Sequence, residues 1–208
     1  MKNIKNLPNL LTMFRIAIIP ILIASFYIPG LTAHLVVASL FAVACITDYF
    51  DGYFARSMKL QSNFGKCLDP IADKLLVAVA IVMLVNFNSH NPWILFPGLI
   101  IICREILVSG LREFLAEFHL NVPVSKLAKY KTMVQMVAIT GLLLGEKGSD
   151  YTVQYLIGNW MEMDIKNIIT NVIINLAKFL FCMSALLTVV TGYRYWRIGR
   201  IGFTNQMF

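Results

Sequence analysis

The chain has 208 residues, of which 58% are hydrophobic and 14% charged, with a net charge of +7. Water-soluble domains carry about 25% charged residues, and a mean hydropathy of +0.71 leaves too little polar surface to coat a soluble globule of 23.5 kDa. Disorder is excluded on the same ground, and the scattered cysteines at 45, 67, 103 and 182 exclude a disulfide scaffold. The basic residues cluster beside apolar runs, a pattern that suits anionic lipid headgroups. No nucleic-acid motif accompanies them, so nucleic acid is not an expected partner. The expected fold is all-α: one polytopic membrane domain over residues 1–208 with six transmembrane helices, which would use roughly 120 residues at about 20 each.

In chain order, Lys2 and Lys5 precede an apolar run interrupted by Arg15, with no small-x-small cleavage site near its end. It reads as a retained first helix rather than a signal peptide. No Asp, Glu, Lys or Arg occurs from Ile16 to Thr47, and Pro29-Gly30 divides that stretch. Spans are expected near 9–28 and 33–51. The uncharged run from Leu75 to Cys103 breaks at the polar cluster Asn86–Pro92, giving spans near 69–87 and 92–112. A fifth is expected over 127–146, with Lys129 and Lys131 snorkelling to the interface, and a sixth over 170–193. Residues 147–168 form the longest connecting loop.

Thirteen basic residues fall in segments 1–8, 52–74, 112–131 and 194–208, against Lys147 and Lys166 in the alternate loops. This asymmetry places both termini in the cytoplasm by the positive-inside rule. Trp93, Trp160 and Trp196 all fall at expected interfaces.

Carboxylates are costly in such a setting and need an explanation. Asp48 and Asp51 (i, i+3) sit at the cytoplasmic end of the second span, and Asp69 and Asp73 (i, i+4) open the third. Each spacing puts two carboxylates on one helix face. A short link between antiparallel helices lets all four converge, where they would repel unless cations sat among them. A helix dipole accounts for acids at the start of the third span but not at the end of the second. Two divalent ions would balance four carboxylates, and hard oxygens without nearby His or Cys favour Mg²⁺ or Mn²⁺. The three histidines, at 34, 90 and 119, lie far apart and read as interfacial polar residues.

The run Asp48-Tyr-Phe-Asp51-Gly52-Tyr-Phe-Ala55-Arg56, continued by Gly65, Asp69 and Asp73, resembles the signature of the CDP-alcohol phosphatidyltransferase family at all eight fixed positions. Three further segments resemble the bacterial branch of that family that forms phosphatidylglycerophosphate: Asn6–Arg15, Arg104–Glu113 and Lys129–Thr132. The resemblance implies a six-helix enzyme of the bacterial inner membrane whose site faces the cytoplasm. It implies transfer of the phosphatidyl group from CDP-diacylglycerol to sn-glycerol 3-phosphate, giving phosphatidylglycerophosphate and CMP. It also implies two divalent ions on Asp48, Asp51, Asp69 and Asp73, with Asp73 also the general base, and a homodimer.

For CDP-diacylglycerol, Gly52 permits close approach of the nucleotide, although ending a helix suits it equally. Arg56 suits a phosphate clamp, and Asn9, Thr12 and Arg15 are candidate nucleotide contacts, with capping and snorkelling the alternatives. For the acceptor, a small dianion calls for a basic pocket, drawn from Arg104, Arg112, Lys129 and Lys131. Arg104 has a structural alternative, pairing with Glu105 or Glu113, although adjacent residues on a helix do not face each other. Other acceptors of the same chemistry (inositol phosphate, phosphatidylglycerol, serine) and an ion-coupled transporter are the competing readings. The basic residues favour a phosphorylated acceptor, and the absence of internal symmetry disfavours transport.

Overall fold

The computed structural model describes residues 7–28, 31–58, 63–88, 91–117, 126–157 and 163–207. They form six α-helices: α1 (Leu7–Ser25), α2 (Leu31–Met58), α3 (Asn63–Phe87), α4 (Pro92–Glu117), α5 (Lys126–Ile157) and α6 (Met163–Met207). Among the described residues there is no strand. The all-α expectation and the count of six agree with this.

Local chemistry sets several helix ends. Beyond α1, the amides of Phe26, Tyr27 and Ile28 each bond the carbonyl three residues back, tightening the last turn. Asn91 caps α4: its Oδ1 accepts from the Trp93 amide at 3.0 Å, with Pro92 at the first helical position, where no amide is needed.

The helices are longer than the apolar stretches that announce them. α2 runs through the expected stop at 51 to Met58, so Gly52 does not end the helix. α3 starts at Asn63, so Asp69 and Asp73 stand in its second and third turns, beyond the reach of its N-terminal dipole. α5 passes the expected end at 146 and reaches Ile157, bending at Gly145, whose φ of 63° and ψ of −173° are non-helical. α6 has 45 residues, about 67 Å of helix at 1.5 Å per residue. Much of the expected 147–168 loop is therefore helical. Hydropathy stops at the first charges, whereas backbone hydrogen bonding does not, which is why the ends moved.

The helices close into a ring, α1–α3–α4–α6–α5–α2, each packed on the next. Leu22, Phe41, Ile81, Ile101, Ile139 and Phe181 meet inside it, all essentially without exposure. The outer faces are equally apolar: Val82, Phe96, Leu107, Met133, Phe179 and Leu186 are all exposed. Inside differs from outside in packing rather than polarity. Among the described residues, two helical stretches, Pro92–Leu115 and Ile165–Arg197, are long and apolar enough to cross a membrane; Thr12–Ser25 and Ala33–Asp48 are shorter apolar helices.

Candidate active site

Cys45 Sγ of α2 lies 3.2 Å from Met136 Sδ of α5, where those helices pack together. One turn beyond Cys45 is Asp48. α1 crosses beside α2 and α3 and presents Thr12 and Arg15, one turn apart, to the aspartates. The Thr12 hydroxyl donates to Asp69 Oδ1. Arg15 Nη1 donates to Asp73 Oδ1 and lies 3.0 Å from Asp48 Oδ1. Arg15 is 1% exposed, whereas the two carboxylates it joins are more than a third exposed. Carboxylates from two helices thus converge on one guanidinium from a third. A cation among the acids was expected, but Thr12 and Arg15 were candidates for the nucleotide, and here they contact the aspartates themselves.

The residues that would take metal ions offer oxygen donors only, which fits Mg²⁺ or Mn²⁺ in chemistry. Among the described residues no three acidic, His or Cys side chains form a ready metal-binding group. Two carboxylates meet at Arg15 instead. The helical backbone is described at Asn9, Asp51, Gly52 and Arg56, but the side chains of Asn9, Asp51 and Arg56 and the surroundings of Gly52 lie outside the described residues.

A second polar cluster joins α4, α5 and α6. Glu105 Oε1 accepts from Lys131 Nζ of α5 and lies 3.5 Å from Arg104 Nη1. Arg104 Nη2 donates to Thr191 Oγ1 of α6 at 2.8 Å, and its guanidinium lies over the Tyr195 ring, 5.8 Å from the centroid. Neighbouring side chains on a helix diverge, which argued against an Arg104–Glu105 contact; the length of the Arg side chain overcomes that divergence. Of the four acceptor candidates, the structure brings Arg104 and Lys131 together through Glu105. Arg112 and Lys129 are exposed instead. Lys131 is 3% exposed and turned toward Glu105.

One further contact lies between the two clusters. Lys74, next to Asp73, donates through Nζ to Ser109 Oγ, and Ser109 stands one turn beyond Glu105 on the same face of α4. Lys74, Ser109, Thr191 and Tyr195 were not among the residues picked from sequence, and Glu105 was named only as a structural partner for Arg104. Its signal was an acid between two arginines inside an apolar helix.

Residues 5–190 match the family model for CDP-alcohol phosphatidyltransferase. The chain belongs to that family and is a transferase. It is 46% identical over 197 residues to a CDP-diacylglycerol–glycerol-3-phosphate 3-phosphatidyltransferase of Rickettsia bellii, covering 95% of this chain and 97% of the relative. A protein of the same name from Rickettsia typhi is 46% identical, over 93% of this chain and 96% of its own length. One from Salmonella choleraesuis is 47% identical, over 66% and 76% respectively.

Proposed function

We propose that this chain transfers the phosphatidyl group of CDP-diacylglycerol to sn-glycerol 3-phosphate, releasing CMP, at the cytoplasmic face of the inner membrane. The observation that carries the reading is the presence in one bundle of an acidic cluster (Asp48, Asp69, Asp73) and a cationic one (Arg104, Lys131), with the Lys74–Ser109 contact between α3 and α4. The names of the relatives support the two substrates.

In this reading Asp48, Asp51 and Asp69, with Asp73 beside them, would hold two Mg²⁺ or Mn²⁺ ions. Such ions supply positive charge at the attacking and leaving oxygens of a phosphoryl displacement. The acceptor hydroxyl oxygen bonds to the phosphorus bearing the diacylglycerol, and the bond from that phosphorus to the CMP oxygen breaks. The Asp73 carboxylate takes the hydroxyl proton. Arg15 keeps Asp73 and Asp48 directed into the site, and Thr12 does the same for Asp69. Gly52, Arg56 and Asn9 serve the nucleotide. Arg104 and Lys131 face the acceptor phosphate, with Arg112 and Lys129 on its approach.

A bilayer setting is supported by the apolar outward faces, the two long apolar helices and the one-sided basic residues. A homodimer rests on the family resemblance alone.

The test is a transfer assay on purified protein with labelled CDP-diacylglycerol and separate tubes of sn-glycerol 3-phosphate, inositol phosphate, serine and phosphatidylglycerol. Product is expected in the first tube, with Mg²⁺ or Mn²⁺ required and EDTA abolishing it. Asp73→Asn should lower kcat by about 10²- to 10⁴-fold, whereas Asp48→Asn and Asp69→Asn should raise the metal concentration needed. Turnover with serine alone would overturn the acceptor assignment. Full activity without bound metal would overturn the ion-binding role of the aspartates.

A further inference from the structure

Arg104 enters the bundle with a donor to spare. Its Nη1 edge faces Glu105 and its Nη2 is given to Thr191, while Nε is buried with no hydrogen-bond partner among the described residues. A buried donor left without an acceptor is costly, so the guanidinium holds hydrogen-bonding capacity in reserve. Gly192 lets the arginine lie against α6: a Cβ there would come within 3.1 Å of Arg104 Cγ and 3.3 Å of Nε. On the other side, one oxygen of Glu105 takes both Lys131 and Arg104. Two cations and one carboxylate leave a net single positive charge, held by three helices.

We infer that Glu105 is the positioning residue of the acceptor-phosphate site: by gathering Lys131 and one edge of Arg104 onto a single oxygen, it holds both cations in one place for the phosphate. The inference rests on the phosphorylated-acceptor reading above. Thr191 and Gly192 do from α6 what Glu105 does from α4, since a guanidinium fixed at two of its nitrogens cannot rotate its third away.

The experiment measures KM for each substrate, with the other saturating, in Glu105→Gln, Glu105→Asp, Thr191→Val and Gly192→Ala. Glu105→Gln is expected to raise the KM for sn-glycerol 3-phosphate by about 10-fold or more, the loss of one charge-assisted contact. KM for CDP-diacylglycerol should stay within about 2-fold. Glu105→Asp, which keeps the charge but draws it back by one methylene, should fall between. Thr191→Val and Gly192→Ala should raise the same KM, and less than additively with Glu105→Gln, because all three act on one guanidinium. Equal rises in both KM values, full additivity, or an unchanged acceptor KM would each overturn the inference. Should Glu105→Gln fail to fold, Glu105→Asp decides by the same split. If the unaltered protein uses serine instead of the phosphorylated acceptor, the acceptor reading fails and the inference with it. If it uses sn-glycerol 3-phosphate and the Glu105 variants leave that KM unmoved, only the inference falls.

Discussion

Arg15 is the residue whose role changed most between sequence and structure. A lone arginine in an apolar helix is costly, and its sequence context suited either a nucleotide contact or snorkelling. What the sequence could not show is that α1 packs beside both α2 and α3, so that Asp48 and Asp73 reach the same nitrogen. Arg15→Ala should leave these carboxylates repelling each other. Because they are more than a third exposed, the expected loss is about 1–3 kcal/mol, below that of a fully buried pair. Thermal unfolding in detergent with EDTA should show the drop, and added Mg²⁺ should restore part of it by occupying the acids. A midpoint unmoved by Mg²⁺ would show that the carboxylates accept no replacement cation. Lys131 and Lys129 make a second contrast, since they are near neighbours in sequence but only Lys131 is buried on an acid. Lys131→Ala should cost about 1–3 kcal/mol, because Glu105 loses its closer cation and keeps only Arg104, and Lys129→Ala within about 0.5 kcal/mol. Chemical unfolding midpoints of the two variants check the difference.

Helix number was legible because Pro29-Gly30 and the polar cluster 86–92 interrupt apolar runs too long for one span. Helix ends were less legible. Charged residues such as Asp51, Arg56 and Lys66 signal a loop to a hydropathy reading, yet nothing in their chemistry stops a helix, and α2 and α3 run through them. The same extension carries the aspartates away from the helix termini. The bend in α5 was hidden for another reason: Gly145 is one of several glycines in spans, and only its backbone angles distinguish it. A positive φ with extended ψ is open essentially to glycine alone, and a Cβ there would come within 3.3 Å of His34 Nδ1. Gly145→Ala should therefore lower stability by about 1–3 kcal/mol, read from the unfolding midpoint. Kinetic constants should change little, since the bend lies away from both polar clusters. A variant as stable as the parent would show that α5 can straighten without loss.

At the scale of the molecule, the sequence signature marked the acidic half of the site, because its aspartates sit in one run at fixed spacing. The cationic half was only partly legible, since Arg104, Glu105, Lys131 and Thr191 come from three helices and meet only through packing. Orientation belongs to this scale too. With the native cysteines removed, Asp150→Cys should react with a membrane-impermeant thiol reagent added from outside, and Leu60→Cys only after the cytoplasmic side is opened. The reverse pattern would put the aspartates on the face away from cytoplasmic substrates and overturn the orientation.

The ring order of the helices also sets a timetable. Thr12 and Arg15 find their partners within 58 residues of sequence, so the acidic half can close once α3 has been made. Arg104 must wait for Thr191, 87 residues later on the last helix. During synthesis the bundle therefore holds a finished half-site beside an arginine still lacking its α6 partner, which stays tied to Glu105 or drawn toward headgroups until α6 arrives. A chain interrupted between α5 and α6 would keep its acids paired and leave Arg104 without its α6 anchor. Supplying α6 as a separate polypeptide should then return the missing half, because helices that are independently stable in a bilayer can associate after insertion.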